Sequence, residues 1–176
     1  IVPCDYNQTK AATLALGAHQ GPAYLRFGRP SWPVFISPER PFTIGKADKL
    51  IEGKDVTIFA CGHLVWTAIE AEEILAGKGI SAEVINIHTI KPLDVEAILE
   101  SAGKTGCVVT AEEHQMNGGL GDAVAQILAR FYPTPQEMVA VNDSFGESGT
   151  PTQLLKKYGL GPENIVAAAE RAIRRK

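Results

Sequence analysis

The sequence predicts an α/β fold with three layers, a largely parallel sheet between helices, preceded by a helix–strand tail that belongs to another α/β domain. Two observations carry this. From Asp55 onward, short apolar runs alternate with stretches of helical periodicity, the order that builds a parallel sheet through right-handed crossovers. The first thirty residues break that rhythm and are separated from it by a proline-rich stretch.

The strand-like runs are Val56–Ala60, Ala82–Ile87, Cys107–Ala111 and Met138–Val141. Their near-continuous hydrophobicity suits strands covered on both faces. Between them, Leu64, Ala68, Ala71 and Leu75 recur at helical spacing, and Leu120, Ala123, Val124, Ile127, Leu128 and Phe131 form a fuller stripe. A shorter helix is expected over Asp94–Leu99, after Pro92. Pro162 opens a last one carrying Ile165, Ala169, Ala172 and Ile173. In the first segment, Asp5 and Gln8 have the spacing of a capping box for a helix reaching Ala18. "GPAYLRF" then reads as a strand. One helix and one strand cannot bury themselves, so this piece must dock on the following domain or on other chain. Prolines 30, 33, 38 and 41 stiffen the connection between. The expected division is therefore 1–31, a linker at 32–44, and a domain from 45 to 176.

Composition excludes some functions. The chain has 176 residues, 45% of them hydrophobic and 21% charged, with a formal net charge of −3. No global positive field attracts nucleic acid, and no apolar run approaches the ~20 residues of a membrane span. The basic end, Arg171, Arg174, Arg175 and Lys176, reads as charge complementing a terminal helix dipole. Cys4, Cys61 and Cys107 are scattered and odd in number, which fits a reducing, cytoplasmic compartment. The chain opens without Met and in what reads as mid-fold, as a fragment or subunit portion would.

In open parallel sheets, ligands bind beyond the carboxyl ends of the strands. His63, His88 and His114 each follow a strand there, with Asp143 and Glu147 after the fourth. Three imidazoles and two carboxylates have the chemistry of a metal shell. Their separation of about 25 residues only reflects the βα repeat, however, and no local pair such as HxxxH supports a metal. "AEEHQMNGGLGDAVAQIL" is the densest signal: Glu112, Glu113 and His114 end a strand, and Gly118, Gly119 and Gly121 lead into a helix. A glycine turn at a helix N-terminus can cradle phosphate, but the preceding carboxylates oppose an anion, so a tight packing turn is expected. Glu112 or Glu113 could act as an acid or base, yet no nucleophile accompanies them. "FGESG" places Ser148 outside the central position of a nucleophile elbow. Arg26 and Arg29 flank "RFGR". Positions three apart in an extended strand face opposite ways, so at most one enters a given site. The planar guanidinium suits phosphate or carboxylate.

Taken together, "GPAYLRFGRP", "FTIGKADKLIEGKDVTIFACG", "INIHTIKPLD", "VVTAEEHQMNGGLGDAVAQIL" and "DSFGESG" with "LLKKYGL" resemble, in order and spacing, the end of the transketolase family. That resemblance implies the C-terminal part of a thiamine-diphosphate- and Mg2+-dependent transferase, one moving a two-carbon ketol unit between sugar phosphates in the pentose phosphate pathway. It implies a cytoplasmic, dimeric enzyme whose N-terminal domains or subunit hold the cofactor, so that this chain alone binds none and is inactive. It gives Arg29, and with less support Arg26, a role in binding the substrate phosphate. His114, Gly118, Gly119 and Gly121 match a block associated with domain and dimer packing. The family counterparts of catalytic and cofactor groups fall outside this chain. "LRFGRPSWP" and "TIKPLD" favour transketolase, of the kind encoded as two subunits, over deoxyxylulose-phosphate synthase or the β subunit of a 2-oxoacid dehydrogenase; the alternative of another class is a non-catalytic interaction domain that binds a partner through the glycine-rich turn.

Overall fold

The computed structural model describes residues 1–176. Its elements run α1 (Tyr6–Gly17), β1 (Asp48–Ile51), β2 (Val56–Ala60), α2 (Leu64–Gly77), β3 (Ala82–Asn86), α3 (Val95–Thr105), β4 (Val108–Gln115), α4 (Leu120–Phe131), β5 (Gln136–Val141), α5 (Pro151–Lys157) and α6 (Pro162–Arg174). The five strands form one sheet in the order β1-β3-β2-β4-β5. β2, β3, β4 and β5 pair in parallel, and β1 lies antiparallel on β3.

Every residue of β2 is buried, because helices cover both faces. Val56, Ile58 and Ala60 point to a core shared with Leu64, Ala68 and Leu75 of α2 and Ile165 and Ala169 of α6. Phe59 points the other way, with Ile98 of α3 and Leu120, Val124 and Leu128 of α4. The period of two in the strand thus divides the apolar residues between two cores. Gly106 ends α3 in the left-handed conformation at φ 71, where a side chain would be strained.

Two expectations meet corrections. The segment "GPAYLRF" is extended but forms no strand. Its only backbone partner is Ile1, whose N donates to Tyr24 O at 2.8 Å and whose O accepts from Arg26 N at 2.9 Å; a ladder needs a neighbouring strand, and none is present. In the cap of α1, Asp5 Oδ1 does accept from Gln8 N at 2.8 Å. Gln8 does not close the box on Asp5, though; its Oε1 accepts from Cys4 N and from Asn86 Nδ2, both at 3.0 Å. Two elements were not anticipated, β1 and α5.

The proline-rich stretch is tied down at both ends. Asp5 Oδ2 accepts from Phe35 N and Ile36 N at 2.9 and 2.8 Å, and Asn7 Nδ2 donates to Ile36 O at 2.7 Å. Further on, Arg40 bridges Asp48 Oδ1 and Lys49 O, each at 2.7 Å. No helix is long and apolar enough to cross a membrane.

Candidate functional site

The chain leaves β2 toward β3 on one side and returns from β3 to β4 on the other, so the crevice between the carboxyl ends of β2 and β4 is the switch point where such sheets bind ligands. Here the chain's own N-terminal segment caps the neighbouring ends of β3 and β2. Val2 N donates to His88 O at 2.8 Å, and Val2 O accepts from Gly62 N at 3.2 Å. Above them a strap of residues 26–32 crosses the crevice. Arg26 Nη1 donates to Glu113 O at 2.9 Å, Gly28 lies against the His63 ring so closely that a Cβ there would overlap it, and Trp32 stacks on His63 with centroids 4.5 Å apart at 15°.

The three histidines do not converge. His63 Nδ1 stands 3.2 Å from Glu113 Oε2. His88 is buried, stacks on Phe42 at 4.2 Å and pairs through Nδ1 with Thr89 Oγ1 at 2.9 Å. Burial, with a smaller contribution from the Ile1 ammonium, lowers its pKa to about 4. His114 is half exposed and its Nδ1 donates to Gln115 O at 2.8 Å. No three His, Cys, Asp or Glu side chains are grouped to hold a metal ion. Asp143 and Glu147 lie in an exposed loop, where Glu147 pairs with Lys157 at 2.5 Å.

The glycine-rich turn cradles an anion, and that anion is the chain's own. Glu112 is buried; its Oε2 accepts from Leu120 N at 2.7 Å and its Oε1 from Gly121 N at 2.8 Å. A carboxylate at the first turn of α4 satisfies two otherwise unpaired amides and faces the positive end of the helix dipole. A Cβ on Gly119 would overlap that carboxylate, and one on Gly121 would meet Met138 Sδ at 2.8 Å. Gly118 takes φ 79 and its N donates to Asp122 Oδ2 at 2.6 Å. Burial outweighs these amide bonds and holds the Glu112 carboxyl above its usual range. Glu113 is pushed the other way, chiefly by its hydrogen bond with His63. Neither carboxylate is hydrogen-bonded to a hydroxyl or thiol. Cys61, also at this edge, is buried and raised to about 12 by desolvation.

Arg26 and Arg29 therefore have different fates. Arg26 is half-buried and spent on Glu113 O, while Arg29 is exposed and forms no hydrogen bond or ion pair. Beside the strap opens a cavity of about 700 Å³, whose walls include Arg26, Lys91, His114, Gly118 and Gly119. Sequence reasoning did not find the Trp32–His63 stack or the use of Asp5 as a clamp on the linker. It also left open which of the two adjacent glutamates turns inward. The arrangement can bind and orient an anionic group.

Residues 45–165 match the family described as transketolase, C-terminal domain. The 6-deoxy-6-sulfo-D-fructose transketolase subunit SqwH of Clostridium sp. (strain MSTE9) is 48% identical over 174 residues, 99% of this chain and 54% of that protein. One of the subunits of the apulose-4-phosphate transketolase of Phocaeicola vulgatus is 38% identical over 170 residues, 96% of this chain and 54% of that protein. The chain thus spans about half the length of the curated relatives it matches. Among solved structures, a split-gene transketolase described as an inactive beta4 tetramer superposes with a TM-score of 0.96 at 47% identity, covering 98% of this chain and 57% of that one.

Proposed function

Because the chain belongs to the transketolase C-terminal domain family, we propose that it is the C-terminal part of a subunit of a split, thiamine-diphosphate-dependent transketolase, in which Arg29 binds the anionic tail of the sugar substrate. The observation behind this reading is an exposed guanidinium with no partner of its own, carried on a strap anchored on both sides. One relative is named for a sulfonated sugar and the other for a sugar phosphate. Phosphate and sulfonate share a tetrahedral oxyanion, which the planar fork of arginine can meet with two parallel hydrogen bonds. Those names point away from the pentose phosphate pathway that the resemblance suggested.

The thiamine diphosphate and its Mg2+ find no site in these residues. The glycine turn at the start of α4 is filled by Glu112, whose charge opposes a diphosphate, and the β2–β4 crevice is crossed by residues 26–32. The remainder of the enzyme would hold the cofactor, and the cofactor carries the bond-breaking chemistry. This chain positions substrate and builds the assembly, and it is inactive alone. Of the glycine block, Gly119 and Gly121 pack within the chain, which leaves the exposed His114 and Gly118 for contacts across the assembly.

The test is ketol transfer by the complete transketolase. Arg29→Ala should raise KM for acceptors bearing phosphate or sulfonate by about 10- to 100-fold, the size of a lost charge-assisted hydrogen bond. Arg29→Lys should recover part of it. Unchanged KM in Arg29→Ala would sink the assignment.

A further inference from the structure

We infer that His63 is a positioning residue for Arg29: it seats the strap of residues 26–32 over the β2–β4 crevice and so fixes where the guanidinium stands. This rests on the substrate-binding role proposed above for Arg29.

Arg29 has no side-chain contact of its own, so its direction is inherited from its backbone. That backbone has an anchor on each side. Upstream, Arg26 N is bound to Ile1 O at 2.9 Å and Arg26 Nη1 to Glu113 O at 2.9 Å. Downstream, Asp5 Oδ2 holds Phe35 N and Ile36 N. Between these anchors His63 is the surface on which the strap lies. One face of its ring stacks on Trp32 at 4.5 Å, its edge meets Gly28 where no Cβ fits, and its Nδ1 reaches Glu113 Oε2 at 3.2 Å.

Glu113 thus grips the strap twice. Its carbonyl takes Arg26, and its carboxylate orients the imidazole under Trp32. His63 does not serve its own helix in this arrangement. It occupies the N-cap position of α2 yet makes no side-chain capping bond, although a side chain at that place usually does. Few side chains combine a flat stacking face with a hydrogen-bonding edge. Phenylalanine keeps the first and glutamine the second, so the two contributions can be separated.

The readout is the ratio of kcat/KM for a phosphorylated acceptor to that for a tail-less aldehyde acceptor, measured on the complete transketolase. His63→Ala should lower this ratio about tenfold, because a displacement near 1 Å can cost up to about a hundredfold in rate. His63→Phe and His63→Gln should each give a smaller loss. In an Arg29→Ala background, His63→Ala should lower the ratio no further. Acrylamide quenching of Trp32, taken as the difference from Trp32→Phe, should rise in His63→Ala and stay level in Arg29→Ala. If Arg29→Ala lowers the ratio while His63→Ala does not, or the two losses multiply, the positioning role is overturned. If Arg29→Ala itself leaves the ratio unchanged, the substrate role of Arg29 is overturned instead. Quenching that is the same with and without His63 would overturn the seating whatever the kinetics.

Discussion

The two ends of the sheet each bury a carboxylate, and they satisfy it in opposite ways. At the carboxyl end, Glu112 is met by backbone amides of α4. At the amino end, Glu83 of β3 is fully buried and is met by side chains: Lys104 contacts its Oε2, Lys49 Nζ stands at 3.7 Å, and Thr57 Oγ1 lies 3.3 Å from Oε1. Thr57 is in turn paired with Thr105 at 2.8 Å. Amides at a helix start are fixed by the fold and cannot swing away. Ammonium groups on long stems can be replaced by one another. The contrast teaches that the carboxyl end is rigid and depends on a few glycines, whereas the amino end is redundant.

Three substitutions or conditions test that contrast, in decreasing order of expected effect. Glu112→Ala strands two amides of α4 and opens a void; urea unfolding should show a loss of about 3 kcal/mol. A loss below about 1 kcal/mol would mean that water replaces the carboxylate and that the end is not rigid. The second test uses His88, buried against Phe42 with its pKa lowered to about 4 from an ordinary 6.5. Below pH 6.5 the unfolded chain takes up a proton that the folded chain refuses, so stability falls as pH drops toward 4 and is level above 6.5. Between pH 7 and pH 5 the loss should be about 2 kcal/mol. The slope should vanish in His88→Gln; a slope that persists would assign it to another group. Third, Lys104→Met should cost only about 1 kcal/mol, less than a buried pair usually does, because Lys104 is partly exposed and Lys49 remains. The same loss in Lys49→Met and a much larger one in the double variant would sharpen the claim of redundancy.

The sequence made the sheet legible because β2, β3, β4 and β5 are covered on both faces or nearly so and read as apolar runs. β1 escaped notice for the opposite reason. "DKLI" is four residues long, half of it charged, and none of the four is fully buried. α5 has no buried residue and hence no stripe, although Thr150 and Gln153 form a capping box and Pro151 follows the cap. "GPAYLRF" has the composition of a strand but lacks a neighbour to pair with, which composition cannot report. In the site, the glycine block was recognisable as a packing turn. That Glu112 rather than Glu113 fills it follows from strand alternation, which turns Glu112 inward beneath α4. His63 carried no local signal at all, since its partners Trp32 and Glu113 come from distant stretches of chain.

The antiparallel strand β1 has one further consequence. The edges of an open sheet expose unpaired amides and carbonyls that can recruit another chain into a growing stack. Here β1 closes off β3 with four residues whose register slips between Lys49 and Ile51, and Arg40 ties Asp48 and the carbonyl of Lys49 back to the chain. On the opposite side, Arg175 covers the carbonyl of Gln136 at 3.0 Å while Arg171 and Arg175 both pair with Glu137. A short, irregular strand and charged clasps are devices that oppose such edge-to-edge recruitment.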